Sequence, residues 1–392
     1  MSGRDLFCQP RRFGRGAALT LVFAGVLAAG AATGALPDGD HSGASGRRTT
    51  QGAARAGTGH DDVEKAAAEA MADGKSPMEA AERAVSRSGD RWGAVYSEGE
   101  YEEFQEALDG EYTGVGLWAR RERDGRIEVT KVQSGSPAAG AGIRQGDRLR
   151  SIDGRQVDGL PVTDVVSLLR GDAQDAPAGT TVRLGLERGT RAWSETLRRA
   201  RLSTDSVTVR RLPGGVTVIR VAAFTKGSGD TVRTAVREAP ADGRLILDLR
   251  GNSGGLVTEA TTAASAFLDG GLVATYDVDG KQHALHAASG GDTARPLVAL
   301  VDGGTMSAAE MLTGALKDRG RAVVIGSRTF GKGSVQMPSK LPDGSVAELT
   351  VGHYRTPSGR AVDGRGITPD LEAGQNALQR AETVLTGLGD PS

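Results

Sequence analysis

Hydrophobic and polar positions change their rhythm several times along this chain. Residues 17 to 36 carry no charge at all, and 37 to 60 are small and polar with no apolar period. From 61 to 108 apolar residues recur at helical spacing: Val63, Ala66, Ala67 and Ala70, then Met78, Ala81 and Val85 after a Ser76-Pro77 start, then Tyr101, Phe104 and Leu108. Between 111 and 188 glycines punctuate shorter patterns, with strands predicted at Ile127 to Val132 and Thr181 to Glu187 and a helix at Val162 to Gly171. Beyond 191, strand-length apolar runs alternate with helical patterns. Val216 to Val221, Arg244 to Leu249, Leu272 to Tyr276, Pro296 to Val301 and Arg321 to Ile325 read as strands; Asp230 to Arg237 and Leu256 to Leu268 read as helices. That alternation predicts an α/β domain.

Composition narrows the class. The chain has 392 residues, 38% hydrophobic and 25% charged, as in soluble globular proteins with two or three domains. A formal net charge of -1 gives no electrostatic footprint for nucleic acid. The single cysteine, Cys8, excludes an internal disulfide and a cysteine metal site, and no H-E-x-x-H or carboxylate cluster implies a metal or other cofactor. Arg4, Arg11, Arg12 and Arg15 ahead of the uncharged stretch Ala17 to Leu36 make an export signal, either cleaved or retained as a membrane anchor. The basic flank would stay in the cytoplasm, so everything after Leu36 is expected outside it.

Chemistry concentrates between Val301 and Gln336. A strand runs through a glycine turn into Ser307, which opens a helix whose apolar positions are Met311, Leu312, Ala315 and Leu316. Ser307-Ala-Ala-Glu310 fits a capping box, and a serine at such a turn also lies where a helix N-terminus favours a developing oxyanion. Lys332 sits between Gly331 and Gly333. The ordinary reading is a solvated loop lysine. To act as a base it must lose its proton near neutral pH, well below the usual lysine value of about 10.4, which burial beside residues such as Phe330 and Val335 can achieve.

The stretches GGTMSAAEMLTGALKD, TFGKGSVQ and HYRTPSGRAVDGRGITPD resemble the C-terminal processing peptidases, the Ser-Lys serine proteases also called tail-specific proteases. The resemblance makes Ser307 the nucleophile, Lys332 the general base and Gln336 a third member that holds the lysine amine. Asp318 falls where the family has an acidic residue. Thr305-Met306 and Ala309 depart from the family's usual serines, away from the matched catalytic positions. The resemblance further implies a crotonase/Clp-protease-like core of ββα units. Within 111–190, the run GSPAAGAGIRQGDRLRSIDGRQV resembles a PDZ domain, with Thr113, Gly114, Val115 and Gly116 as its peptide-carboxylate loop. The expected organisation is an export segment (1–36), a tether (37–60), a helical region for packing or dimerisation (61–110), the inserted PDZ domain (111–190), the Ser-Lys core (191–375) and a C-terminal helix or tail (376–392).

Two rival motifs stand nearby. Gly251-Asn-Ser253-Gly-Gly255 satisfies G-x-S-x-G after a strand, so a Ser253 nucleophile with His283, His286 or His353 is an alternative hydrolase. The family usually has proline at Ser253. On that reading the glycines are the useful part, and backbone N–H groups of Gly254 or Gly255, with that of Ala308, form an oxyanion hole. Gly326 to Gly333 nearly spells a phosphate loop, but glycine replaces the final Ser/Thr and strand follows where a helix is needed. The expected activity is therefore cleavage of proteins or peptides with unstructured C-termini outside the cytoplasm, with a non-catalytic PDZ adaptor as the third alternative.

Overall fold

The computed structural model describes residues 58–171, 176–278 and 281–388. The predicted export segment and most of its tether lie outside the described residues, among which no helix is long and apolar enough to cross a membrane.

The chain opens with α1 (Thr58–Ala72), α2 (Pro77–Ser88), β1 (Ala94–Tyr96) and α3 (Glu98–Leu108). The α2 start is set as the sequence suggests: Ser76 caps it through a bond from the Glu79 N–H, and Pro77 occupies the first turn. Next come β2 (Glu111–Gly114), β3 (Leu117–Arg121), β4 (Ile127–Val132), the single turn α4 (Pro137–Gly140), β5 (Arg148–Ile152), β6 (Arg155–Gln156), α5 (Val162–Arg170), β7 (Thr181–Arg188), β8 (Arg191–Arg198) and β9 (Ala200–Ser203). The order β3-β4-β5-β7-β8 makes one antiparallel sheet over its own core of Ile127, Leu149, Ile152, Leu184 and Leu186. Asp147 of the GD pair is buried there, and its carboxylate accepts a forked pair of bonds from Arg188. This domain enters and leaves through one neck. Strand β2 pairs with β9, and the Thr204 N–H closes the base on the Gly110 carbonyl at 2.7 Å.

The rest is β10 (Val207–Leu212), β11 (Val216–Val221), α6 (Ser228–Glu238), β12 (Arg244–Asp248), α7 (Val257–Ala264), β13 (Leu272–Val278), β14 (Lys281–His286), β15 (Leu297–Val301), α8 (Ala308–Asp318), β16 (Val323–Gly326), β17 (Ser334–Lys340), β18 (Val346–Arg355), β19 (Leu371–Glu372) and α9 (Ala377–Leu388). Strands β11, β12, β15, β16 and β19 are parallel, with β10 antiparallel at the edge. The unbroken apolar runs Leu245 to Leu247 of β12 and Leu297 to Val301 of β15 follow from burial on both faces. Leu245 and Leu247 pack with α6, α7 and α8 on one side, while the intervening Ile246 packs with Ala377, Ala381 and Leu385 of α9 on the other. The α/β core inferred from the sequence is thus three layers deep.

A second sheet, β1-β18-β13-β14 with β17 on β18, stands beside it. Here the N-terminal helices find their place. Val63, Ala67, Ala81 and Val85 pack on Val95, Ala347 and Leu349, and Ala94 to Tyr96 pair with Val346 to Glu348. Residues 58–96 are therefore built into the sheet that follows the Lys332 loop.

Candidate active site

Strand β15 delivers the chain to a turn, 302–307, stitched to the neighbouring 249–254 loop. Asp302 Oδ1 accepts the N–H groups of Gly251 (2.8 Å) and Gly304 (2.9 Å), and the Thr305 hydroxyl donates to the Leu249 carbonyl at 2.9 Å. The Met306 N–H reaches the Asn252 carbonyl at 2.8 Å. Ser307 sits at the end of this turn with φ 54° and ψ -121°, one of two described non-glycine residues with positive φ. Such a conformation costs on the order of 1–3 kcal/mol and persists only where surrounding bonds over-determine it. The predicted capping box is formed: the Glu310 carboxylate accepts the Ser307 N–H at 3.0 Å, and the Glu310 N–H turns back to Ser307, meeting its carbonyl oxygen at 2.8 Å.

Glu310 proves to be more than a cap. It is fully buried, and its Oε2 accepts the N–H of both Ser307 (3.0 Å) and Lys332 (2.8 Å). Its Oε1 accepts the Gly331 N–H (2.7 Å) and the Thr329 hydroxyl (2.5 Å). Thr329 is itself oriented as a donor because its oxygen accepts the Ile367 N–H at 2.7 Å. One carboxylate therefore joins the turn of Ser307 to the loop of Lys332. Burial pushes its pKa up while these donated bonds hold it down, burial being the larger effect. Since all four neighbours donate, the group they fit is the ionised carboxylate.

A second tie comes from β18. The Tyr354 hydroxyl donates its proton between the carbonyl oxygens of Ser307 (2.9 Å) and Lys332 (3.1 Å). Burial raises its pKa well above the usual phenol value, so it remains a donor.

Lys332 is only 8% exposed. Burial lowers its pKa, and the charges of Glu348 and Asp90 work in the opposite direction. Its Nζ lies 5.3 Å from the centre of the Trp92 ring, which comes from the N-terminal segment. Trp92 is in turn tied down: its carbonyl accepts the Gln336 side-chain amide, its indole N–H donates to Asp363 at 3.4 Å, and its ring tilts against Phe330 at 5.7 Å. Gln336 thus acts on the wall beside the lysine through Trp92, whereas the sequence reading had it on the amine itself.

The predicted oxyanion donors lie against the same turn. A Cβ on Gly254 (φ +102°) would come 2.9 Å from Ser307 Cβ and 3.3 Å from the Ala308 nitrogen, so this position admits only glycine. Its N–H, however, donates to Asn252 Oδ1 at 2.8 Å. Gly255 bridges to Phe224, and Ala308 begins α8, where first-turn N–H groups have no intrahelical acceptor.

The Ser253 alternative lacks its partner. Ser253 Oγ is buried with no hydrogen-bond partner among the described residues, while His283 stacks on Tyr276 at 5.2 Å and His353 faces Asp363 at 3.9 Å. Asp318 holds the 356–360 loop, accepting the N–H (3.0 Å) and hydroxyl (2.6 Å) of Ser358 and pairing with Arg360. No group of three or more potential metal ligands occurs among the described residues. In the PDZ domain, Gly114, Val115 and Gly116 open a groove of about 50 Å³ between edge strand β3 and Val166, Leu169 and Arg170 of α5. Thr113 precedes that groove in the neck, where its hydroxyl donates to Glu106 at 3.3 Å. A Cβ on Gly116 (φ +79°) would meet Ser136 Cβ at 2.2 Å, so the loop depends on glycine.

Fold and site together make a parallel α/β core, with the Ser307 turn and the Lys332 loop bonded to one carboxylate, that carries a small antiparallel β-domain as an insertion. Residues 215–373 belong to peptidase family S41, and residues 128–188 are a PDZ domain. A Staphylococcus saprophyticus protein described as a probable CtpA-like serine protease is 31% identical over 316 residues, covering 78% of this chain and 63% of that protein. A Staphylococcus aureus protein of the same description is 35% identical over 278 residues, covering 68% of this chain and 54% of that protein. The chain thus spans little more than half the length of these relatives. Among solved structures, the photosystem II D1 C-terminal processing protease is 28% identical, with a TM-score of 0.50, over 80% of this chain and 86% of that one.

Proposed function

We propose that this chain is an endopeptidase that docks a protein C-terminus on its PDZ domain and cuts the polypeptide with Ser307 and Lys332. The observation that carries this reading is the shared anchoring of the two residues, one Glu310 oxygen taking both N–H groups and one Tyr354 hydroxyl serving both carbonyls. Ser307 Oγ attacks the scissile carbonyl while the neutral Lys332 amine takes its proton. The oxyanion is received by the N–H groups of Ala308 and Gly255, the Gly254 N–H being engaged by Asn252. Lys332 then protonates the leaving amine, and water releases the acyl group from Ser307. At the PDZ groove, the C-terminal carboxylate meets the Gly114 to Gly116 backbone and the peptide adds beside β3. The basic and uncharged run at the N-terminus supports action outside the cytoplasm.

Labelling with a serine-reactive fluorophosphonate tests both halves. On the purified protein a single adduct should map to the Ser307 peptide; an adduct on Ser253 instead refutes the assignment. A membrane-impermeant version applied to intact producing cells should label Ser307 as well, and protection there until lysis would place the enzyme inside.

Trp92 gives a second test. The rate should rise with pH as Lys332 loses its proton, at a midpoint below the ordinary lysine value because burial disfavours the cation. In Trp92→Ala water reaches the amine, and the ascending limb of kcat/KM should move to higher pH, losing about tenfold at neutral pH per unit of displacement. A uniform loss at all pH values with no displacement would reduce the ring to a structural support.

A further inference from the structure

Alternation along β18 sends its side chains to opposite faces of the second sheet. Ala347 and Leu349 face α1 and α2, so Glu348 and Thr350 face the other way, beside Ala94 and Tyr96 of β1 and Gln336 and Pro338 of β17. The segment ahead of β1 lies on this same face. Asp90 accepts the Thr350 N–H (2.7 Å), the Thr350 hydroxyl (2.8 Å) and the Trp92 N–H (2.9 Å), while the Gln336 amide holds the Trp92 carbonyl. The Trp92 ring in turn stands against the Lys332 amine. Two carboxylates therefore act on that amine, Glu348 and Asp90. They differ in what occupies them. Asp90 has its three donated bonds, whereas the half-buried Glu348 carboxylate accepts no hydrogen bond and makes no contact ion pair among the described residues. Carboxylates drawn out of water are ordinarily satisfied by donors, and the cation whose charge reaches this one is Lys332.

The inference rests on the reading that Lys332 is the base for Ser307. In that reaction the amine starts neutral and becomes an ammonium as it takes the Ser307 proton, in a place where burial disfavours the cation. An anion touching the amine would hold it charged from the outset. One set back from it leaves the amine free to lose its proton, yet still steadies the ammonium once formed, as a carboxylate behind a catalytic base does. We propose that Glu348 is the counter-charge of the catalytic lysine, a positioning residue that acts through Lys332 by stabilising the ammonium formed when Ser307 gives up its proton. The other groups around the pair are engaged or uncharged. Glu310 of α8 takes the Lys332 N–H, Asp363 takes the Gly333 N–H and the Trp92 indole, and Arg91 lies 4.6 Å from the centre of the Trp92 ring. Tyr96 of β1 and Tyr101 of α3 lie near Glu348 with pKa values raised by burial, so both stay neutral; Glu100 of α3 lies near Tyr96, and Lys340 of β17 is exposed.

Glu348→Gln keeps the shape and removes the charge. No bond ends on the carboxylate, so the variant should keep the wild-type thermal midpoint. Measured against pH on an unfolded protein substrate, the ascending limb of kcat/KM should move about one unit lower, the direction opposite to Trp92→Ala. The plateau should fall about threefold, since a weaker base takes the proton less readily. The two profiles then cross: well below the midpoint the variant is about threefold faster than the wild type, and above it about threefold slower. Glu348→Asp retains the charge and should return the limb most of the way. A limb that stays in place in Glu348→Gln, whatever the loss in rate, or one displaced equally in Glu348→Asp, would overturn the proposal. Turnover that survives Lys332→Ala would instead refute the base itself, whatever Glu348 does.

Discussion

Ser307→Ala and Lys332→Ala should each remove peptide-bond cleavage almost completely, by on the order of 10⁴- to 10⁶-fold in kcat, as when members of other serine-protease catalytic units are deleted. The double variant should be no worse than the poorer single one. A nucleophile without its base and a base without its nucleophile fail at the same step, so the losses do not multiply. Both variants should remain folded. Ser307 is partly exposed, and the Glu310 N–H of the first turn of α8 also meets the Ser307 main-chain oxygen, which alanine keeps. Lys332 contributes a buried amine whose cation is disfavoured where it sits. The measurement is turnover of an unfolded protein with an apolar C-terminus, alongside the thermal midpoint of each variant. Retention of more than about one per cent of wild-type turnover in either single variant would remove that residue from the chemistry.

Glu310→Gln should be the most damaging exchange that touches no reacting atom. Each carboxylate oxygen of Glu310 accepts two bonds, from Ser307 and Lys332 on one side and from Thr329 and Gly331 on the other. An amide can present only one oxygen, so its NH₂ must face two N–H or O–H donors. Two buried donors lose their acceptor at about 1–3 kcal/mol each. Displacing the Ser307 turn from the Lys332 loop by about 1 Å is worth a further 10²-fold in rate. The expected result is a lower unfolding midpoint together with a kcat reduced by roughly 10²-fold, checked by thermal denaturation and by turnover at saturating substrate. A midpoint lowered with kcat unchanged would confine Glu310 to stability. The same bonds separate Glu310 from Tyr354, whose hydroxyl serves carbonyls that water can also satisfy.

Much of this was legible in the chain, and the limits follow from distance and exposure. Strand β11 is found over the predicted Val216 to Val221, and β15 within one residue of its predicted start, because apolar residues dominate both runs and every position but Arg220 is buried. Strands β8 and β10 are arginine-rich with mostly exposed or half-exposed positions, so no alternation marks them. The predicted helix Leu256 to Leu268 is regular only to Ala264, after which Ala266 and Phe267 turn in tighter bonds to carry the chain to β13. At the site, Glu310 announced only its local role, three residues from Ser307; its bonds to Thr329, Gly331 and Lys332 reach 19 to 22 residues along the chain. Trp92 gave no hint of itself, since its link to Gln336 spans 244 residues and depends on β1 joining β18.

The neck of the PDZ domain has a consequence for how such enzymes diversify. The polypeptide departs from the catalytic body at Gly110 and rejoins it at Thr204, and those two residues are bonded to each other at 2.7 Å. An insertion with both ends at one doorway can be traded for another by recombination without reshaping the frame around it. On the proposed function, new tastes in substrate would then arise by swapping the attachment, with the core inherited intact.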